Sequence, residues 1–419
     1  MACCLSGKSP TPLEIYARSL PKDADATPIF FPMYAVATDV LLKMTRIEPH
    51  EKLKADGRLV LFSDDMGRAV FVSHQWLAKR HPDPDFKQMR TLQDALRRLL
   101  SSHGFVSLDV VTESLVSAAS PFPMQELQEE ALFFWYDFFS CPQLEPTFSA
   151  EQDGGQANAI KSIPAYIARC HFFFALCPVL DCPFEGKVLS AAGWSRRGWC
   201  RAERAARELS PSSSWILIQS DTCMEVVGTA GSFPSGSVGE GDFEIAEDRQ
   251  KLAPVMKQML VQKLNHCLRV GDLPGFRRHF NLQAVHLRGL DIEPVSGLLP
   301  CGPQCRVAEF LYQNGLRRVG EADSAGWRPL HYAALAGDTE VLRGLLERRS
   351  DVNWRTFKEE PTLGIPPLTS VLDIASFYKH HEATRFLLEA RAELERGFTA
   401  SAVQCAAMSD NARSLNPKP

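Results

Sequence analysis

The sequence predicts two folded parts: an α/β domain built on a parallel sheet, then an all-α array of helical repeats. Three observations carry this reading. Apolar strand-like runs alternate with helical patterns between Arg68 and Ile218. A Gly- and Ser-rich stretch at Gly228–Gly241 interrupts that pattern. Beyond it, one segment repeats another at a fixed offset. A length of 419 residues suits two or three domains rather than one. The expected parts are a disordered tail over 1–27, the α/β domain over 28–225, a linker over 226–250 and the repeats over 251–419.

In chain order, residues 1–27 carry Pro, Ser, Lys and Asp without periodicity. Pro28–Glu51 is mixed, with a helix expected near Val36–Met44. The run Ala69-Val70-Phe71-Val72, continuing to Ser73-His74-Gln75-Trp76, reads as a strand buried on both faces. Prolines mark a loop at His81–Asp85, and Met89, Leu92, Leu96, Leu99 and Leu100 make Lys87–Ser101 an amphipathic helix. Ala131–Phe139 is aromatic-rich, with strand favoured in its second half, and ends at the loop Ser140–Gln143. Gly154 and Gly155 lie in a loop; Ala157–Arg169 reads as a helix that Pro164 interrupts. His171–Pro178 and Trp215–Ile218 are the third and fourth strands. Between them Arg201–Leu209 consists of helix formers throughout, and Leu252–Val270 is a further helix.

Composition excludes several functions. With 46 basic against 50 acidic side chains, net charge −4, no global field attracts nucleic acid. The 12 cysteines follow no framework and no secretory signal precedes them, so reduced thiols and a cytoplasmic location are expected. His266-Cys267 and Cys301/Cys305 lack paired-ligand spacing, and no metal or cofactor is expected. No stretch reaches the ~18–20 apolar residues of a membrane span. The best, Pro28–Met44, is broken by Pro32 and Asp39. The adjacent Cys3 and Cys4 are candidate palmitoylation sites, with two free thiols in a tail as the alternative.

Candidate chemistry gathers at three places. In Gly198-Trp199-Cys200-Arg201-Ala202-Glu203, helical spacing puts Trp199 and Glu203 on one face. A carboxylate over a buried tryptophan is desolvated, as tuned acids are. The alternative pairs Glu203 with Arg207 at the surface. Strand ends in a parallel sheet carry ligands, and here they hold Ser73-His74-Gln75-Trp76 and Asp137 with Gln143. Set against a ligand role, His74 reads equally as a loop histidine bonded to backbone and Asp137 as a cap. A cysteine hydrolase using Cys200 with His74 is disfavoured, because a thiol beside Trp199 is expected to be buried and unactivated.

Asp323–Ala334, Gly337-Asp338, Leu345-Leu346 and Asp351-Val352-Asn353 follow the order of an ankyrin repeat. A shift of 42 positions aligns Leu330 with Leu372, Ala333 with Ala375, Leu345-Leu346 with Leu387-Leu388 and Asn353 with Glu395. A period of ~33 residues plus about nine inserted ones, in Phe357–Pro367, explains the offset. This part resembles the ankyrin family. Val307–Val319 looks like half of a degenerate repeat, Gly271-Asp272-Leu273 like the start of another, and Thr399–Leu415 like a cap. Such a stack implies a protein partner.

Two further families resemble residues 58–225. Trp199, Cys200 and Glu203 match the Trp-Cys-x-x-Glu motif of Toll/interleukin-1-receptor (TIR) domains. Ser73, Trp76, Trp135, Asp137 and Gln143 match the spacing of heterokaryon-incompatibility (HET) domains, and Arg197, Trp199 and Glu203 satisfy that family's Arg-x-Trp-x-x-x-Glu. The departures are His74 for tyrosine, Leu77 for glycine, and Ser140 and Pro142 for Cys and Asn. The resemblance implies a flavodoxin-like (TIR-like) sheet, signalling, self-association and, in several TIR domains, hydrolysis of NAD⁺ by the motif glutamate. Glu203 would then be catalytic; Trp199 would wall the substrate pocket, with Ser73, His74 and Trp76 as contacts and Asp137 orienting a hydroxyl. Many TIR domains only assemble, so a non-catalytic adaptor is the alternative.

Overall fold

The computed structural model describes residues 9–21, 28–116, 119–143, 155–182, 186–210, 213–228, 236–300, 302–360, 363, 365–394 and 401–408. Cys3, Cys4, Gly154, Cys301 and Glu395 lie outside the described residues.

The first half is a mixed sheet with helices on both faces, an α/β arrangement. Its strands are β1 (Tyr34–Ala37), β2 (Val60–Leu61), β3 (Arg68–His74), β4 (Phe105–Leu108), β5 (Phe122–Pro123), β6 (Leu132–Trp135) and β7 (Phe172–Leu176). A separate hairpin, β8 (Leu180–Cys182) and β9 (Lys187–Leu189), precedes β10 (Trp215–Ile218) and β11 (Met224–Val227). The nine-stranded sheet runs β2-β1-β6-β3-β7-β10-β11-β4-β5. Its centre, β6-β3-β7-β10, is parallel throughout. Counted along the chain, those four strands lie in the order 2-1-3-4 of a flavodoxin-like sheet. The margins depart from that expectation, because β1 is antiparallel to β6 and β11 to β10. Only five residues lie between β10 and β11, far short of the dozen a parallel crossover needs.

Period-2 alternation explains the continuous apolar runs. Ala69, Phe71, Phe173 and Ala175 face one layer of core, and Val70, Val72, Phe172 and Phe174 face the other. The first layer is covered by α7 (Gly155–Arg169) and α9 (Gly198–Leu209), the second by α4 (Lys87–Ser101). The short helices α2 (Thr38–Leu42), α3 (His50–Ala55), α5 (Val110–Leu115), α6 (Asp137–Ser140) and α8 (Ala191–Arg196) complete this half.

Four local expectations are corrected. Val36–Met44 opens in strand β1 before turning into α2. The apolar run at 131–139 is strand in its first half, and its second half coils into α6, where Ser140 Oγ accepts the Tyr136 N–H at 3.2 Å. Pro164 does not interrupt α7, and Gly155 begins that helix. The expected tail contains α1 (Pro12–Ser19), closed by a Thr11/Glu14 capping box, with Leu13 fully buried against Leu264, Cys267 and Phe276.

The expected linker 226–250 is also folded where described. Val238 is buried, and the ten-residue approach to α10 (Glu247–Arg269) lies on the start of α9. Gly198 N–H donates to Asp242 O at 2.8 Å and Asp242 N–H to Arg196 O at 2.7 Å. A Cβ on Gly198 would come within 2.0 Å of Phe243 Cζ, so only glycine admits this contact. Gly198→Ala is expected to cost about 1–3 kcal/mol, read as a drop in urea-unfolding free energy. An unchanged value would show that Phe243 moves aside freely.

α10 packs on α7 and α9 and contributes Leu252, Met256, Met259 and Leu260 to the core beneath the sheet. It then meets α11 (Leu273–Asn281), so no gap in packing separates the halves. After α12 (Gln283–His286) come α13 (Arg306–Gln313), α14 (Pro329–Ala336), α15 (Thr339–Glu347), α16 (Val371–Phe377), α17 (His381–Glu389) and α18 (Ala402–Met408). One layer stacks α11, α14, α16 and α18; the other stacks α13, α15 and α17. Of the two segments expected to be degenerate repeats, the first opens α11, which stacks in one layer, and the second forms α13, which stacks in the other, with residues 282–305 between them. The 42-residue register reappears in the backbone: Gly337 and Lys379 both have left-handed φ (70° and 60°), as do Arg349 and Arg391 (63° each). The inserted segment is anchored by the buried Leu363 and Ile365 and by a Glu360–Arg278 ion pair.

Candidate functional site

The same alternation distributes the polar residues at the end of β3. Ser73 continues the face of Ala69 and Phe71 and so meets α9, whereas His74 continues the face of Val70 and Val72 and turns towards α6. Ser73 Oγ donates to Glu203 Oε2 at 2.5 Å and accepts from Trp194 Nε1 at 2.9 Å. His74 Nε2 lies 2.8 Å from Asp137 Oδ1, and Trp76 Nε1 donates to Asp137 Oδ2 at 2.8 Å. The His74 ring stacks on Tyr136 at 3.8 Å, and its Nδ1 lies 3.2 Å from Gln75 O. Both ring nitrogens therefore face acceptors, which suits the doubly protonated ring.

These groups border one cleft of about 380 Å³, which also touches Trp199, Gln143, Arg197 and Lys251. It opens where the chain, having gone from β3 to β6, returns across β3 to β7, the reversal point at which such sheets bind ligands. His74, Trp76, Asp137, Trp199 and Glu203 are brought together; Ser73 lies behind them and reaches the cleft through Glu203. Gln143 steadies the wall by donating to Cys141 O and Asp137 O at 2.9 and 3.3 Å.

The alternatives are resolved by partners. Glu203 does not pair with Arg207, whose guanidinium donates to the carbonyls of Ser214, Cys170 and His171 at 2.8–2.9 Å. His74 keeps a backbone contact and adds the carboxylate. Asp137 opens α6, accepting from the Phe138 N–H while both its oxygens hold side chains. The buried Cys200 thiol faces His74 O at 3.6 Å, and burial pushes it far above the ordinary thiol range, so it offers no thiolate.

Burial pushes the half-buried Glu203 carboxyl up to about 7, against the Ser73 hydrogen bond, with the Asp137 charge adding to the rise. Burial opposes charge on His74, but the Asp137 carboxylate outweighs it and raises the imidazole above its ordinary value. Burial likewise opposes ionisation of Asp137, yet His74 and the Trp76 N–H hold it below the usual carboxylate range.

The sign of the resulting pH dependence follows. Glu203 binds its proton more tightly when folded, so stability falls as pH rises from about 4.5 to 7. The raised His74 acts in the same direction, its contribution being present below 6.5 and lost as pH climbs through the raised value. The lowered Asp137 contributes above 3.8 and loses this only as pH falls. Unfolding free energy is expected to decrease by about 2–3 kcal/mol between pH 5 and 8, and Glu203→Gln to remove most of the decrease. A flat wild-type profile would contradict a raised Glu203.

Sequence reasoning missed Trp194, which orients Ser73, and the wall supplied from beyond β11. Trp199 Nε1 donates to Asp248 Oδ2 at 3.0 Å, Lys251 pairs with Asp248 at 2.7 Å, and Arg197 pairs with Glu244 at 3.0 Å. The one available signal was the i,i+3 spacing of Asp248 and Lys251 just ahead of the apolar pattern that begins at Leu252. Among the described residues no cluster of His, Cys, Asp and Glu is placed to hold a metal ion, and no helix is long and apolar enough to cross a membrane.

Comparison with protein families matches residues 325–357 to the ankyrin repeat. The match spans α14 and α15 and ends where the inserted segment begins. An ankyrin repeat points to protein–protein interaction. No TIR or HET family matches the first half, and no curated protein matches the chain.

Proposed function

We propose that the repeat half docks a protein partner and that the α/β half is a TIR/HET-like signalling domain whose cleft hydrolyses NAD⁺ to nicotinamide and ADP-ribose. The observation that carries this reading is Glu203, a carboxyl raised to about 7 in a cleft at the reversal point of the sheet. The scissile bond joins a pyridinium nitrogen to ribose. Nicotinamide leaves as a neutral base and takes the bonding electron pair without needing a proton. The oxocarbenium-like ribose left behind is stabilised by the Glu203 carboxylate. Water then adds to the anomeric carbon, and its proton passes to Glu203, whose value near 7 suits acceptance at neutral pH. Trp199 and Trp76 offer ring faces to nicotinamide. The His74–Asp137 pair presents a fixed polar edge to the ribose hydroxyls. Arg197, paired with the exposed Glu244, and Lys251, paired with the largely buried Asp248, present positive charge to the pyrophosphate.

A second reading, assembly through self-association without chemistry, is favoured by one feature. Ser73 is already paired with Glu203, and His74 and Trp76 with Asp137. Nicotinamide release by the full chain discriminates the two. The 1–225 portion is unsuitable because it lacks Asp248 and Lys251. Release that disappears in Glu203→Ala supports hydrolysis, whereas no release by the full chain, even at concentrations that drive self-association, supports the adaptor.

A further inference from the structure

Within the matched repeat, the first turn of α14, the end of α15 and the turn that follows it border a pocket of about 100 Å³. At about 10–15 Å³ per water-sized group, it has room for a carboxylate and the methylenes that carry one. Its charges are unbalanced. Arg328, Arg348 and Arg349 line it against a single carboxylate, the exposed Asp351, whose Oδ1 accepts from the Asn353 N–H at 2.9 Å. Burial pushes His331, on the same wall, down to about 4, so it adds no charge at neutral pH.

Arg328 is the anomaly. Among the described residues its guanidinium has no ion pair and no hydrogen bond, and its Nε is shut off from solvent. What fixes it is Trp354, whose ring centre lies 3.3 Å from the guanidinium carbon. Trp354 is pinned in turn, its Nε1 donating to Gly326 O at 3.1 Å. The neighbouring Arg348 is engaged instead, with Nη1 on Gly344 O at 2.8 Å and Nη2 on Cys305 Sγ at 3.3 Å. A guanidinium lying flat on an indole keeps its edges free. The edge made by Nε–H and the Nη2–H beside it is the one that takes both oxygens of a carboxylate. Ser350 Oγ, on the same pocket, is also buried without a partner. Two unpaired donors thus border one space, whereas buried polar atoms ordinarily have an acceptor. Next to the pocket, Phe357 packs edge-on against Trp354, ring centroids 6.1 Å apart, and is 53% exposed. An apolar contact therefore adjoins the cationic one.

We propose that this pocket receives the carboxylate of an Asp or Glu from a partner protein, on the Nε/Nη2 edge of Arg328 and the Ser350 hydroxyl, while a neighbouring apolar side chain of the partner rests on Phe357. The inference rests on the reading that the repeat half docks a protein, and it names the chemistry of that protein: an acidic segment with an apolar residue beside the acid. Arg349, exposed on the rim, adds positive charge that draws such a segment in.

The test follows the Arg328 Nε–H resonance of the full chain, assigned by its absence in Arg328→Met, during titration with a blocked peptide of three Glu-Leu-Gly triplets. A saturable shift is expected, with at least tenfold weaker binding of the Gln-Leu-Gly counterpart. With the glutamate peptide carrying a fluorophore, anisotropy should show affinity reduced at least tenfold in Arg328→Met and several-fold in Phe357→Ala. It should be unchanged in Arg343→Met, since that cation lies outside the pocket, over Phe386. Phe357 is exposed, so Phe357→Ala decides the matter if Arg328→Met does not fold. Equal binding of the glutamine peptide would overturn the carboxylate site while leaving docking of a protein by the repeats intact. No saturable binding of either peptide would overturn both the site and docking at this end of the repeats. Equal losses in Arg343→Met and Arg328→Met would reduce the binding to general charge attraction and overturn the proposal.

Discussion

Glu203→Gln is expected to lower nicotinamide release from NAD⁺ by about a thousandfold, within the 10²–10⁴ typical of a positioned acid–base group. The amide keeps the size of the side chain and its acceptor oxygen for Ser73 Oγ, so the cleft should survive. It loses the negative charge that opposes the oxocarbenium and the site that accepts the water's proton. Affinity for NAD⁺ should change little, because Trp199, Arg197 and Lys251 still line the pocket. The loss should therefore fall on kcat rather than KM. Undiminished kcat in Glu203→Gln, with release confirmed in the wild type, would remove this residue from the chemistry.

Leu345→Asp is expected to unfold the stack formed by α13 to α18. Leu345 is fully buried in the repeat core with Val307, Val341 and Leu342. The substitution removes about 1.5–3 kcal/mol of side-chain burial and places a carboxyl where it lacks partners, a total of roughly 4–5 kcal/mol. The sheet core ends differently, taking in α10, Leu287 and Leu290 but none of α13–α18. Two transitions should appear on heating, with helical signal lost first while the environments of Trp194 and Trp215 stay intact. A single transition at the wild-type temperature would show that position 345 is not buried as described.

What was legible in the sequence follows from how local each signal is. β10 and α4 fall where they were read, because a continuous apolar run and a helical apolar stripe each encode burial directly. The 42-residue register was legible for the same reason, with Leu330, Leu372, Leu345 and Leu387 all buried. α1 was missed although Thr11 and Glu14 spell a capping box, since eight residues take their stability from tertiary contacts such as Leu13 in the repeat half. The Gly/Ser-rich stretch misled because composition does not report that Phe243 rests on Gly198. In the candidate site, the convergence of His74, Asp137 and Glu203 followed from topology. The roles of Trp194 and Asp248 depend on contacts across 121 and 49 positions of chain, which no local spacing encodes.

The most direct measurement is the titration of the Glu203 carboxyl itself, followed by side-chain carboxyl ¹³C shifts in glutamate-labelled protein and assigned by the resonance missing from Glu203→Gln. A midpoint near 7 is the expected result. A midpoint near 4.5 would place that carboxyl in open solvent, away from Ser73 and the strand ends, and would contradict the cleft as a site of chemistry.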